Sequence, residues 1–225
     1  MEAKSAKLRS EKPRNGNGGE GRLPYDERRA QILHHAAEFF SEYGLTGQTR
    51  SLAAACGVSQ RLLYRFFPNK AALVREVYQE TIIGPFRAVW LAQLTDRSMG
   101  VEERLNHFYR DYFRTILTRK WLRLFLYSSL AESEMAPDYI AAIIKDLMET
   151  ITRETALEQG VDLPDDPDVL HEIGWTLHGA VSHFAIRRHL YKASREVPAD
   201  RVLAVQIAAF VHGFRAMVET AGEGS

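Results

Sequence analysis

The fourteen residues Gly57-Val58-Ser59-Gln60-Arg61-Leu62-Leu63-Tyr64-Arg65-Phe66-Phe67-Pro68-Asn69-Lys70 constrain the fold more than any other part of the chain. Wound at about 100° per residue, Gln60, Arg61, Tyr64 and Arg65 share one side of a helix, and Leu62, Leu63, Phe66 and Phe67 the other. Ser59 supplies an N-cap, Pro68 stops the helix and Asn69 is placed to cap the next one. Upstream, Thr49 is positioned to cap a short helix ending at Cys56, and Gly57 is the turn residue. Before that, Ile32, Ala36, Phe39, Phe40 and Tyr43 recur at three and four residue steps, with Asp26 as a start signal and Gly44 as a stop. The apolar side of the third helix must therefore pack on the first two, with the Ala53-Ala54-Ala55 run allowing close approach. Its polar side is then left facing outward.

Two short helices joined by a tight glycine turn, the second presenting polar side chains, form a helix-turn-helix, whose second helix enters the DNA major groove. Gln pairs bidentately with adenine and Arg with guanine, so Gln60 and Arg61 in the first turn are the expected base readers. Thr49, Arg50, Ser59, Tyr64, Arg65 and Lys70 sit at helix starts or flanks, where hydroxyls, charges and backbone N–H groups meet phosphate. The plain alternative is an amphipathic helix whose charged face is only solvated. The cap, glycine turn, polar triplet, aromatic inner face and cationic exit together favour DNA.

Charge supports the same division of labour. The chain has 29 basic and 29 acidic side chains in total, but residues 1 to 80 hold 13 basic against 9 acidic and the remainder 16 against 20. The first third is the candidate for a polyanion. A single cysteine, Cys56, excludes an internal disulfide and a Cys-based zinc site, which fits a reducing, cytoplasmic setting. No apolar leader follows the basic N-terminus, and no membrane is expected as a partner.

Residues 1 to 24 read as a flexible basic arm, with Lys4, Lys7, Arg9, Lys12, Arg14 and Arg22 among Gly, Asn, Ser and Pro. Residues 25 to 70 form the helix-turn-helix unit. Residues 71 to 225 contain amphipathic runs punctuated at Gly84-Pro85, Ser98 to Gly100, Met135 to Pro137, Gly160 to Pro167 and Glu196 to Pro198. These give five or six further helices and an all-α fold, with no alternating strand pattern and no long repeat.

The segments Thr49 to Ser59 and Leu63 to Leu73, including Leu63-Tyr64-Arg65-Phe66-Phe67-Pro68-Asn69-Lys70, closely resemble the N-terminal signature of the TetR family of bacterial transcriptional regulators. The likeness covers roughly Arg29 to Val77; Phe66 and Leu52 depart from the usual pattern, away from the DNA face. The resemblance implies a homodimer on a near-palindromic operator, most often a repressor, released when a small effector binds a helical C-terminal lobe.

The residues themselves support two parts of that scheme. The last two helices, near Pro167 to Tyr191 and Pro198 to Ala221, are apolar on more than one face. Gly174, Gly179, Val181, Ala208, Phe210, Gly213 and Phe214 are expected at a dimer interface, the alternative being burial within one subunit. Trp90, Tyr109, Tyr112, Phe113, Phe125, Trp175 and His178 are candidates for an effector pocket, suited to a largely apolar, aromatic or acyl-like molecule. The Gly84-Pro85 break could couple that pocket to the DNA-binding head.

Rival readings are weaker. His171-Glu172-Ile173-Gly174-Trp175 nearly matches a zinc-protease motif, but Trp175 stands at the second ligand position, so neither metal, cofactor nor catalysis is expected. Asp162, Asp165, Asp166 and Asp168 read as a turn and a helix cap, with Pro167 at the first helical position. The remaining alternative is a DNA-binding architectural or division protein of the same build, controlled by a protein partner.

Overall fold

In a computed structural model of the chain, residues 23–131, 143–191 and 197–222 are described. They contain ten α-helices, one π-helical turn and, among the described residues, no strand. The basic arm up to Arg22 and the Met135 to Pro137 punctuation lie outside them.

Helix α1 spans Tyr25–Tyr43 and buries Ile32, Leu33, Ala36, Ala37, Phe39 and Phe40. Pro24 occupies its N-cap position, not Asp26, which lies in the first turn where a carboxylate suits the positive end of the helix dipole. Gly44 ends it at φ 76°, a backbone conformation that glycine adopts without strain. Helix α2, Thr49–Ala55, is preceded by Gln48 as N-cap, so Thr49 does not cap it as the sequence suggests. Of the three alanines, only Ala53 is buried; Ala54 and Ala55 face solvent. Gly57, at φ 66°, turns the chain into α3, Gln60–Phe66. Ser59 Oγ accepts from the Leu62 N–H (3.2 Å), and Asn69 Oδ1 accepts from Ala72 (2.8 Å) to start α4, Lys70–Tyr78. Both caps satisfy orphan N–H groups by side chains three residues away.

A π turn, Gln79–Ile83, extends α4 up to Gly84. Beyond it lie α5 (Val89–Leu94), α6 (Val101–Thr115), α7 (Arg119–Leu130), α8 (Lys145–Gln159), α9 (Pro167–His189) and α10 (Ala199–Gly222). Asp166 caps α9 through the Asp168 N–H (2.9 Å), with Pro167 at the first position. Helix α9 packs on α8 and α10, α10 on α6, and α1 on both α4 and α7. One continuous apolar core runs from Ile32 and Phe40 through Trp90 and Phe108 to Val181 and Phe214.

One wall of this lobe is held by charge. Arg104, 2% exposed, donates to Glu154 (2.8 Å), to Glu158 and to the Leu94 carbonyl, while Arg97 forks onto Glu154 and Glu158 accepts from the Val101 N–H (2.6 Å). Helices α5, α6 and α8 are thereby tied at one end. The forked Arg97 pair, followed by Arg104, holds the Glu154 carboxyl below its ordinary range despite its burial.

Four residues expected at a dimer interface are instead subunit core: Gly174, Val181, Phe210 and Phe214 are buried by the chain's own helices. At Gly174 a Cβ would fall 2.7 Å from Met148 Cβ and 2.8 Å from the Met148 carbonyl oxygen, so the glycine permits α9 to touch α8. Gly179, Ala208 and Gly213 remain partly exposed. The seam of α9 and α10 satisfies itself first because its largest apolar groups point toward α6 and α8. Replacing Gly174 with Ala is expected to cost about 1 to 3 kcal/mol by overpacking, read as a lower urea midpoint at unchanged m-value.

Candidate nucleic-acid interface and effector cavity

Gln60, Arg61, Tyr64 and Arg65 are all exposed and lie on one side of α3. Behind them Leu63 and Phe67 are buried, and Leu62 and Phe66 are half-buried. The helix is fixed from several directions. Val58 N–H reaches the Ala53 carbonyl (3.0 Å), Tyr64 Oη lies 3.4 Å from Thr49 Oγ1, and the Tyr25 ring stacks on Phe66 at 4.6 Å. Arg50 and Ser59 are also exposed, at the starts of α2 and α3 on the same part of the head. The arrangement presents two long donors, Gln60 and Arg61, in the first turn, with hydroxyls and a second guanidinium around them. That is the donor pattern that base edges and phosphates accept.

Lys70 is placed differently from the expectation of a projecting phosphate ligand. It is half-buried, donates to the Gly47 carbonyl (2.6 Å) and lies 6.0 Å above the Phe40 ring. Burial lowers its pKa. Its ammonium therefore braces the α1–α2 loop against the start of α4, and any phosphate contact uses a donor left over from that bond.

The aromatic candidates divide. Tyr112, Phe125, Trp175 and His178 line a cavity of about 110 Å³, together with Leu117, Trp121, Leu122, Leu126, Ile144, Ser182 and Ile186. Trp90, Tyr109 and Phe113 do not line it. Trp90 is core and donates to Asp111 (2.7 Å), Phe113 stacks on Phe184 at 5.3 Å, and Tyr109 lies behind His178, its Oη 3.5 Å from Nδ1. No charged side chain borders the cavity among the described residues. Burial pushes the His178 pKa down to about 4, so the imidazole is neutral near pH 7. Trp121, the most consequential residue missing from the expected set, stacks on Phe125 at 4.9 Å. Its position five residues before Leu126 on an amphipathic helix was visible, but which face turned inward was not.

The histidine motif on α9 has a structural use. Trp175 Nε1 donates to His171 Nε2 at 2.6 Å, and no group of three His, Cys, Asp or Glu able to hold a metal occurs among the described residues. Along the outer seam of α9 and α10 lies a groove of about 680 Å³ lined by Val169, Ile173, Thr176, Ala216, Met217 and Ala221 among others, continuing past Ala180 and Ala209. Helix α10 is long and apolar enough to span a membrane by composition, yet Leu203, Ile207, Phe210 and Phe214 are buried against the chain's own core.

For His178 the sign of the pH dependence follows from which state binds more protons. Below its unfolded value of about 6.5 the unfolded chain takes up a proton that the folded chain refuses until about pH 4. The stabilisation is complete above pH 6.5 and is lost as pH falls through that window. Between pH 7 and pH 5 the expected loss attributable to His178 is on the order of 2 kcal/mol. Urea melts of wild type and His178→Leu at both pH values should show a smaller pH effect in the variant.

Comparison with known proteins agrees with this geometry. Residues 32–77 match the family model described as bacterial regulatory proteins, tetR family. An 82-residue stretch is 39% identical to the HTH-type transcriptional activator FasR of Mycolicibacterium smegmatis, covering 36% of this chain and 37% of that relative, so the match spans little more than a third of the relative's length. In fold, the chain is similar to a transcriptional regulator from Pseudomonas aeruginosa PAO1 (TM-score 0.66, 21% identity, 87% of this chain and 93% of that one). It is similar also to a TetR-like transcriptional regulator from Rhodococcus sp. RHA1 (TM-score 0.63, 19% identity, 87% and 99%). Residues 32–77 thus carry the signature of the TetR family of bacterial regulatory proteins, and the chain shares the all-α fold of TetR-like regulators.

Proposed function

We propose that the protein is a transcriptional regulator that reads a near-palindromic operator as a homodimer and changes its grip on DNA when a small, largely apolar or aromatic effector occupies the lobe. The observation that carries this reading is the exposed quartet of Gln60, Arg61, Tyr64 and Arg65 on a helix capped by Ser59 and clamped at its back. Gln60 and Arg61 read bases; Thr49, Arg50, Ser59, Tyr64 and Arg65 meet phosphate, with Lys70 acting mainly as a brace.

Two copies joined along the α9–α10 groove would cover Thr176, Ala209, Ala216 and Met217 and the strongly exposed Val205. Such an interface is isologous and supports pairing of two heads on a two-fold operator. The cavity, whose described lining carries no charge, supports control by a small ligand over control by a protein partner. A repressor role has no counterpart in the geometry. The relative in Mycolicibacterium smegmatis is named an activator, and the sign of regulation depends on where the operator sits relative to the promoter. The reading leaves the protein no catalytic task.

Operator selection with the full chain, repeated over a salt series, tests the assignment of roles. Arg61→Ala is expected to relax preference at one position per half-site at a cost of about 1 to 3 kcal/mol. Arg50→Ala should weaken all sequences alike, with a salt slope shallower by about one. Equal effects of both on every sequence would contradict the assignment. For the dimer, Ala209→Arg should shift sedimentation toward the monomer and lower operator affinity together; an unchanged dimer would move the interface elsewhere.

A further inference from the structure

We propose that α7 is the lever by which the cavity sets the position of α1, and that Arg123 is the positioning residue that makes the grip. The inference rests on the DNA-binding reading above and concerns how the lobe speaks to the head.

Helix α7 is two-sided. At about 100° per residue, Trp121, Leu122, Phe125 and Leu126 occupy one side, and Arg119, Lys120, Arg123 and Tyr127 the other. The first four wall the cavity. The second four hold the C-terminal end of α1: Arg119 pairs with Glu42, Lys120 with Glu38, and the Tyr127 ring lies against Gly44, which follows the helix.

Arg123 does something an ordinary ion pair does not. Its Nε donates to the Ser41 carbonyl and its Nη2 to the Glu42 carbonyl (2.9 Å) and to Tyr127 Oη (2.8 Å). Ser41 and Glu42 are among the last four residues of α1, whose carbonyls have no partner within the helix. The guanidinium thus caps the negative end of α1 from another helix, with a planar fork that fits two carbonyls. It is half-buried over the Tyr127 ring at 5.3 Å, so the cap is not loosely solvated.

On the cavity side, Trp121 stacks with Phe125 and donates Nε1 to the Ile82 carbonyl (3.3 Å), in the π turn that follows α4. One helix therefore touches the cavity, the end of α1 and the end of the α4–π segment. Helix α1 carries the apolar bed on which α2 and α3 rest, so a shift of its gripped end is passed to the DNA face. Well-packed elements of this kind move as units and do not deform locally.

A double-mutant cycle tests the inference without requiring a known effector. Ser182→Leu fills the cavity from α9, and Arg123→Gln releases the cap. Operator affinity is measured for wild type, each variant and the double variant, with thermal melts confirming that each chain is folded. Filling the cavity is expected to weaken operator binding about tenfold when Arg123 is present and by less than about twofold when it is Gln. Should Arg123→Gln be unfolded at the assay temperature, Arg123→Lys, which keeps the charge but loses the planar fork on the two carbonyls, takes its place, with the same expected outcome. An unaltered tenfold effect in the released background, or no effect of Ser182→Leu in wild type, overturns the proposal. Failure of the wild-type chain to select any duplex would instead sink the regulator reading itself, so the two failures are distinguishable.

Discussion

Helices of seven residues do not stand alone in water, because the cost of nucleation exceeds what so few hydrogen bonds return. Both α2 and α3 have that length. Their stability is borrowed from α1, whose Ile32, Ala36 and Phe40 are wholly buried and form the floor beneath them. The same helix is shared with the lobe, since α4 and α7 pack on it as well. The recognition surface is therefore no self-contained module resting on an independent body. Its orientation is a property of α1, and α1 answers to whatever holds its two ends.

The lobe has two mechanically different walls. Around Arg104, Arg97 and Glu154 the helices are tied by a buried ion pair that the exposed Arg97 reinforces, and removing Arg104 or Glu154 would leave the other, buried charge short of a partner. Around Trp121, Phe125, Trp175 and His178 the described lining is uncharged and encloses space, so side chains there can be displaced without breaking an ion pair among the described residues. Yielding is concentrated on the side that adjoins α7. That distribution suits a body in which one wall is a fixed reference and the other responds to an occupant.

How much of this could be read in advance depended on how far apart in sequence the partners lie. Ser59, Asn69 and Asp166 announced their helices because a cap acts within two or three residues, and Gly57 and Gly44 because a positive φ is a local demand. The solvent-facing quartet of α3 followed from the same short periodicity. Lys70, Arg123 and Gly174 gave no such signal: their partners are Gly47, the end of α1 and Met148, and a charge or a glycine alone does not say what it will meet. Thr49 carried a capping residue's chemistry, but the chain entered α2 one residue earlier, at Gln48. The aromatic residues of α5, α6, α7 and α9 stood out in the sequence as a group. Which of them faced a void, as Tyr112 and Phe125 do, and which became solid core, as Trp90 and Phe113 do, is decided by helix packing that no single stripe encodes.

The lone thiol has a practical corollary. Cys56 is 1% exposed, its Sγ lies against the Ile32 carbonyl, and burial pushes its pKa up to about 11. Only thiolate reacts appreciably, and almost none forms at neutral pH in a site no reagent can enter. The native chain is thus chemically silent toward maleimides and spin labels while folded. A cysteine installed at an exposed point on either half becomes the sole attachment site for a dye or a nitroxide, and distances between labelled copies can be followed without first stripping the natural residue from the core.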